Sequence, residues 1–154
     1  MDLITYENKE YGVVFKYPEN WERGESQLGA LVVLYPPAKE RGFFRENLSF
    51  MVYHLDTQEF SLEEYLSQNL KELKESLGVV QKTKQKTTEF GGKEGYQTEY
   101  IGGFGDQNLR LRQFCIKVHD KIFILSHTYV ASHKSKYHKL IKKIIKSFEF
   151  QKKK

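Results

Sequence analysis

The residues of this 154-residue chain with the widest chemical repertoire are five histidines, His54, His119, His127, His133 and His138, and a lone cysteine, Cys115. His127, His133 and His138 crowd into one stretch, but their intervals match no usual ligand spacing, and no CxxC or HExxH motif accompanies them. His127 falls within an apolar run and reads as a hydrogen-bonded core residue. Cys115, in Gln113-Phe114-Cys115-Ile116, reads as a buried, inert thiol, and being single it excludes an internal disulfide. There is no GxSxG nucleophile turn and no P-loop. Gly102-Gly103-Phe104-Gly105 lies between strands, where it serves a hairpin and not a phosphate-binding helix start. Glu63, Glu64 and Glu72 are spread over a helix. No catalytic, cofactor-binding or metal-ligating residue is assigned, no cofactor is expected, and the chain is read as a non-enzyme.

Charge is the one feature outside the core pattern. From Lys134 to the C-terminus there are nine lysines and one acid, Glu149, a formal charge of +8 against +5 for the whole chain. Everything before Lys134 therefore nets −3. Lys136, Lys139, Lys142, Lys143 and Lys146 occupy the polar side of an amphipathic pattern and are the candidate partner-docking residues. Three readings compete: a solvated helix face with cations near its C-terminus, a contact with an acidic protein, and attraction to an anionic membrane surface. Nucleic acid is disfavoured, because the face lacks arginine and stacking aromatics.

The elements that must carry these residues are legible from periodicity. Leu3 to Glu7 is a first strand, and Val13 to Tyr17 a second, alternating until Pro18 ends it. Trp21, just past the Pro18-Glu19-Asn20 turn, is expected to plug the core. Ala30 to Tyr35 is a continuous apolar run, as for a strand buried on both faces. Ala38 to Arg45 reads as a mobile loop, and Leu48 to Leu55 resumes the sheet. Ser61 and Glu64 form a capping box for a helix with Leu62, Tyr65, Leu66, Leu70, Leu73 and Leu77 on one face and Gly78 as its C-cap. Val80 to Phe90, lined by Lys82, Lys84 and Lys86, is an edge strand. Gly91-Gly92 turns into Glu94 to Ile101, and residues 102–106 form the next connection. Leu109 to Val118 and Lys121 to Val130 are joined at His119-Asp120, and an apolar phase change near Gln113 implies a bulge or burial on both faces. Tyr137, Leu140, Ile141, Ile144, Ile145 and Phe148 make the apolar stripe of a last helix, about Ser135 to Phe148.

Strands covered on both faces plus two amphipathic helices imply an α+β chain, a single-domain α/β/α sandwich with a mainly antiparallel central sheet. The lead Tyr11-Gly12-Val13-Val14-Phe15-Lys16-Tyr17-Pro18-Glu19-Asn20-Trp21, with the closing helix that runs into Ser147-Phe148-Glu149-Phe150, resembles a PsbP-like domain. That family is named for the extrinsic subunit of photosystem II, and many bacterial and archaeal members have no known role. The resemblance implies the same sandwich over residues 1–150, with 151–154 as a basic tail, and an accessory module that docks to a larger protein assembly. Two alternatives stand beside it. One is a small-ligand-binding protein or enzyme with a pocket between the 38–45 loop and the sheet, and the other a peripheral binder of anionic membranes through the lysine-rich helix. No run is long enough to span a bilayer. Met1-Asp2-Leu3-Ile4 has neither a basic nor an apolar leader segment, so the chain as written is expected in the cytoplasm, or outside it if a leader was removed.

Overall fold

The computed structural model describes residues 2–25, 29–37, 44–57, 59–77, 80–104, 107–132 and 135–151. In chain order these form β1 (Leu3–Asn8), β2 (Val13–Pro18), β3 (Glu22–Glu25), β4 (Val32–Tyr35), β5 (Asn47–His54), α1 (Leu62–Leu77), β6 (Val80–Phe90), β7 (Lys93–Phe104), β8 (Gln107–Val118), β9 (Lys121–Val130), α2 (His138–Lys146) and β10 (Glu149–Phe150). A seven-stranded sheet runs β3-β4-β5-β9-β8-β7-β6, and a three-stranded one runs β1-β2-β10. Every pairing among them is antiparallel. The class is α+β, as expected, with the large sheet at the centre. One outer layer is α1, and the other combines α2 with the three-stranded sheet.

Alternation along the strands sorts side chains to the two faces. Phe50, Phe114, Ile116, Phe123 and Leu125 join Phe15, Ile141, Ile144 and Phe148 in the larger core, beneath α2 and the small sheet. Cys115, Ile122 and Ile124 face the other way, against Leu62, Tyr65 and Leu66 of α1. Trp21 is buried and meets Tyr137 edge-on at 5.6 Å, so it plugs the core where α2 begins. The capping box is present: the Glu64 amide donates to Ser61 Oγ at 3.0 Å, and the Ser61 amide donates to Glu64 Oε1 at 3.2 Å.

Register settles the phase change in β8. Its pairing with β7 and β9 is unbroken through Gln113, and residues 112–116 are all buried, so burial on both faces is the cause and no bulge is needed. The irregularity lies in β6 instead, between Lys82 and Lys84, on the exposed lysine-lined edge. Bulged, charged edges resist strand addition.

Two expectations are adjusted, and two short strands are added. Gly102 and Gly103 belong to β7, where pairing with Leu109 and Asn108 keeps them extended despite their weak strand preference. The last helix begins at His138, and Ser135, ahead of it, bonds Glu46 and the Tyr137 amide. β3, three charged residues and a glycine on a sheet edge, and β10, only two residues, carry no periodicity from which to read them. Residues 38–43 of the expected loop, Gly78, 105–106, His133, Lys134 and 152–154 lie outside the described residues.

β7 and β8 approach closely at Gly95. A methyl group there would stand 1.9 Å from the Cys115 carbonyl oxygen, a backbone atom with nowhere to go. Gly95→Ala is therefore expected to cost about 3 kcal/mol, the upper end for overpacking. Urea denaturation measures it, and a loss below about 1 kcal/mol would contradict so tight an approach.

Candidate functional site

The lysine face is built by the helix period. Ile141, Ile144 and Ile145 are buried in the core, which turns Lys139, Lys142, Lys143 and Lys146 outward, all exposed. Lys136, just before α2, is exposed too, its ammonium 5.4 Å from the Tyr137 ring centre. Among the described residues, none of these five lies within salt-bridge distance of a carboxylate. Lys143 and Lys146 stand in the last turn, where the helix dipole favours cations. At that end an open crevice of about 530 Å³ separates the β6–β7 turn from β10, with Phe90, Phe148 and Phe150 inside and Lys146 on the rim. The structure thus exposes all five candidate docking residues, four on the outer face of α2 and Lys136 just before it.

A second constellation lies buried on the α2 side of the sheet. His127 is fully buried in β9. Arg112 of β8 donates from Nε to His127 Nδ1 at 3.2 Å, with Nη2 at 3.1 Å from the same nitrogen. His127 Nε2 lies 2.6 Å from Glu46 Oε2. Because Nδ1 accepts from the guanidinium, Nε2 carries the proton and donates to the carboxylate. The row reads carboxylate, neutral imidazole, guanidinium: two opposite charges joined through a ring. Ser135 Oγ donates to the same Glu46 oxygen, and the Tyr137 amide donates to Ser135, which fixes the approach to α2.

Each ionisation follows from this arrangement. Burial holds His127 below its ordinary value, with Arg112 adding to the effect and Glu46 opposing it. Burial pushes Glu46 up, but the hydrogen bonds from His127 and Ser135 outweigh it and leave the carboxyl below its usual range. Burial lowers Arg112 from the usual guanidinium range. His138 packs edge-on against His127 and Tyr129, its Nε2 buried without a partner among the described residues, and burial with the nearby Arg112 lowers it too.

None of this assembles a reacting centre. The carboxylate bridges serine and histidine, so the imidazole makes no hydrogen bond to the hydroxyl and cannot serve as its base. Cys115 is fully buried, its thiol pushed up to about 12 by burial. Among the described residues no group of three or more His, Cys, Asp or Glu is placed to hold a metal ion. No helix among them is long and apolar enough to cross a membrane.

His127 is the hydrogen-bonded core residue that the sequence suggests, but its partners Glu46 and Arg112, and the Ser135 hydroxyl that shares Glu46, are not legible there. One signal was available: Arg112 is in phase with the buried Phe114 and Ile116, so its side chain must enter the same core. Neither described cavity is lined by Phe44 or Arg45.

No functionally curated protein matches the sequence. The fold is similar to the solution structure of cyanobacterial PsbP from Synechocystis, with TM-score 0.68 and 18% identity over 96% of this chain and 92% of that one. It is similar also to LpqN, involved in cell envelope biogenesis in Mycobacterium tuberculosis, with TM-score 0.68 and 10% identity over 98% and 91%. A Pseudomonas aeruginosa protein of unknown function matches with TM-score 0.59 and 16% identity over 94% of both chains. At such identities these likenesses show the fold alone. The sandwich, the Trp21 plug and the closing helix agree with a match of the PsbP family model to residues 1–150, and the chain belongs to the PsbP family.

Proposed function

We propose that this protein is a non-enzymatic docking module, and that the lysine face of α2 seats on an acidic surface of a larger protein assembly. The observation that carries this reading is the row Lys136, Lys139, Lys142, Lys143 and Lys146, exposed and without carboxylate partners among the described residues. Membership of a family with accessory subunits supports it. A rigid helix locked by its apolar side presents these charges in fixed geometry, which favours steering and register over raw affinity.

The triple variant Lys139→Glu, Lys142→Glu, Lys146→Glu tests it. All three positions are exposed, so folding is expected to survive. Capture of the partner from the native organism's lysate should weaken at least about 100-fold, as like charges across an interface repel. Wild-type capture should also elute as salt rises and screens the contact. Equal capture by the variant and the wild type would sink the assignment. Salt-sensitive sedimentation with acidic liposomes, without a protein partner, would move the site to a membrane surface.

A further inference from the structure

Beneath the C-terminal half of α1 the second core does not close. As far as Leu66 the helix packs fully on Cys115, Ile122 and Ile124. A polar seam follows. Asn69 donates to Gln113 at 2.8 Å, Gln113 reaches Ser126 at 3.4 Å, and Thr98 pairs with Gln113 in the sheet register. Beyond the seam, Leu73 faces Val80, Leu109 and Leu111 across a cavity of about 90 Å³, which Tyr100 and Thr128 also line. Leu73, Leu109 and Leu111 are only half-buried. The hydroxyls of Tyr100 and Thr98 are buried with no hydrogen-bond partner among the described residues. Tyr100 Oη is near enough to Asn69 and Thr98 to feel both, yet meets neither in bonding geometry.

Native interiors hold few voids larger than a water molecule and pair nearly all their buried hydroxyls. Here incomplete apolar coverage and unpaired hydroxyls coincide on one sheet face. We infer that this cavity binds a small, neutral, largely apolar molecule that carries one hydroxyl or carbonyl group. The described lining has no charged side chain, which disfavours carboxylates and amines. It is smaller than the roughly 150 Å³ apolar cavity that takes benzene, so one small ring is the upper limit and enters only as the half-buried Leu73, Leu109 and Leu111 give way. The apolar walls would hold the ring, and Tyr100 or Thr128 would meet the polar group. The site lies on the face of the sheet opposite α2, so it is independent of the docking surface.

Phenol is the probe, with toluene as the arm lacking a hydroxyl and benzoate as the charged arm, titrated into the full chain by amide NMR and thermal melting. Phenol is expected to give saturable shifts at Leu73, Gly102 and Leu111 and to raise the melting temperature. Leu111→Trp and Gly102→Val each fill the cavity and should weaken phenol at least about tenfold. Gly102 sits in regular strand pairing, so its variant keeps the test open if the tryptophan does not fold. Tyr100→Phe should remove a preference of about fivefold for phenol over toluene. Saturable binding untouched by both filling variants, or none at all, overturns the site. Benzoate binding as tightly as phenol overturns the neutral class.

Discussion

Ile141→Asp is expected to leave the protein unfolded at room temperature. Ile141 is 1% exposed and packs in the larger core among residues that are apolar throughout. An aspartate there finds neither water nor a cation, and it also removes a large side chain from the contact between α2 and the sheet. Together these cost more than about 5 kcal/mol, comparable with the whole stability of a domain this size. Two neighbours calibrate the result. Ile141→Val, which keeps the site apolar, should cost about 1 kcal/mol. Lys142→Asp, one residue along but exposed, should stay within about 0.5 kcal/mol of the wild type. Circular dichroism melts read all three. A cooperative melt of the aspartate variant within a few degrees of wild type would mean that α2 does not rest on the core. The docking surface depends on this, because the buried isoleucines are what aim the lysines outward.

What the sequence makes legible is local. The Ser61–Glu64 cap, the Pro18 strand end, the His119-Asp120 hairpin and the lysine-guarded edge each rest on residues a few positions apart, and each is present. The isoleucine stripe of α2 likewise follows from one period. What it hides is long-range. The Lys16 amide donates to Ser147 Oγ across 131 positions, and with it β2 and β10 close a separate small sheet that no local pattern announces. Glu46 and His127 meet across 81 positions, so only the histidine's strand position could be read and not its partner. The cavity under α1 arises where Tyr100, Leu111 and Thr128 come into register on three strands, a coincidence of pairing and not of spacing. The candidate docking residues were readable because a helix face is a local object.

Arg112→Leu is expected to cost about 3–5 kcal/mol at neutral pH and to change how stability depends on acid. In the wild type the guanidinium occupies His127 Nδ1, so a proton can reach that nitrogen only by breaking the bond and setting two cations side by side. Folded His127 is therefore held below its ordinary value of 6.5, first by burial and then by Arg112. As pH falls below about 6.5 the unfolded chain takes up a proton that the folded chain refuses, and stability declines. His138, lowered in the same direction, adds to this loss. Glu46 acts further down: its carboxyl titrates below the ordinary 4.5 in the folded state, so its contribution is present above that value and is lost as pH falls through the folded one. Without Arg112, Nδ1 has neither donor nor cation beside it, and the ring can become an imidazolium paired with Glu46. The variant should start less stable yet decline less steeply between about pH 6.5 and 5. Urea midpoints across that range, with NMR titration of the His127 ring, separate the two effects. Parallel slopes for variant and wild type would show that Arg112 does not hold the histidine neutral. A flattened slope would establish that Arg112, together with burial, keeps the His127 ring uncharged in the folded protein.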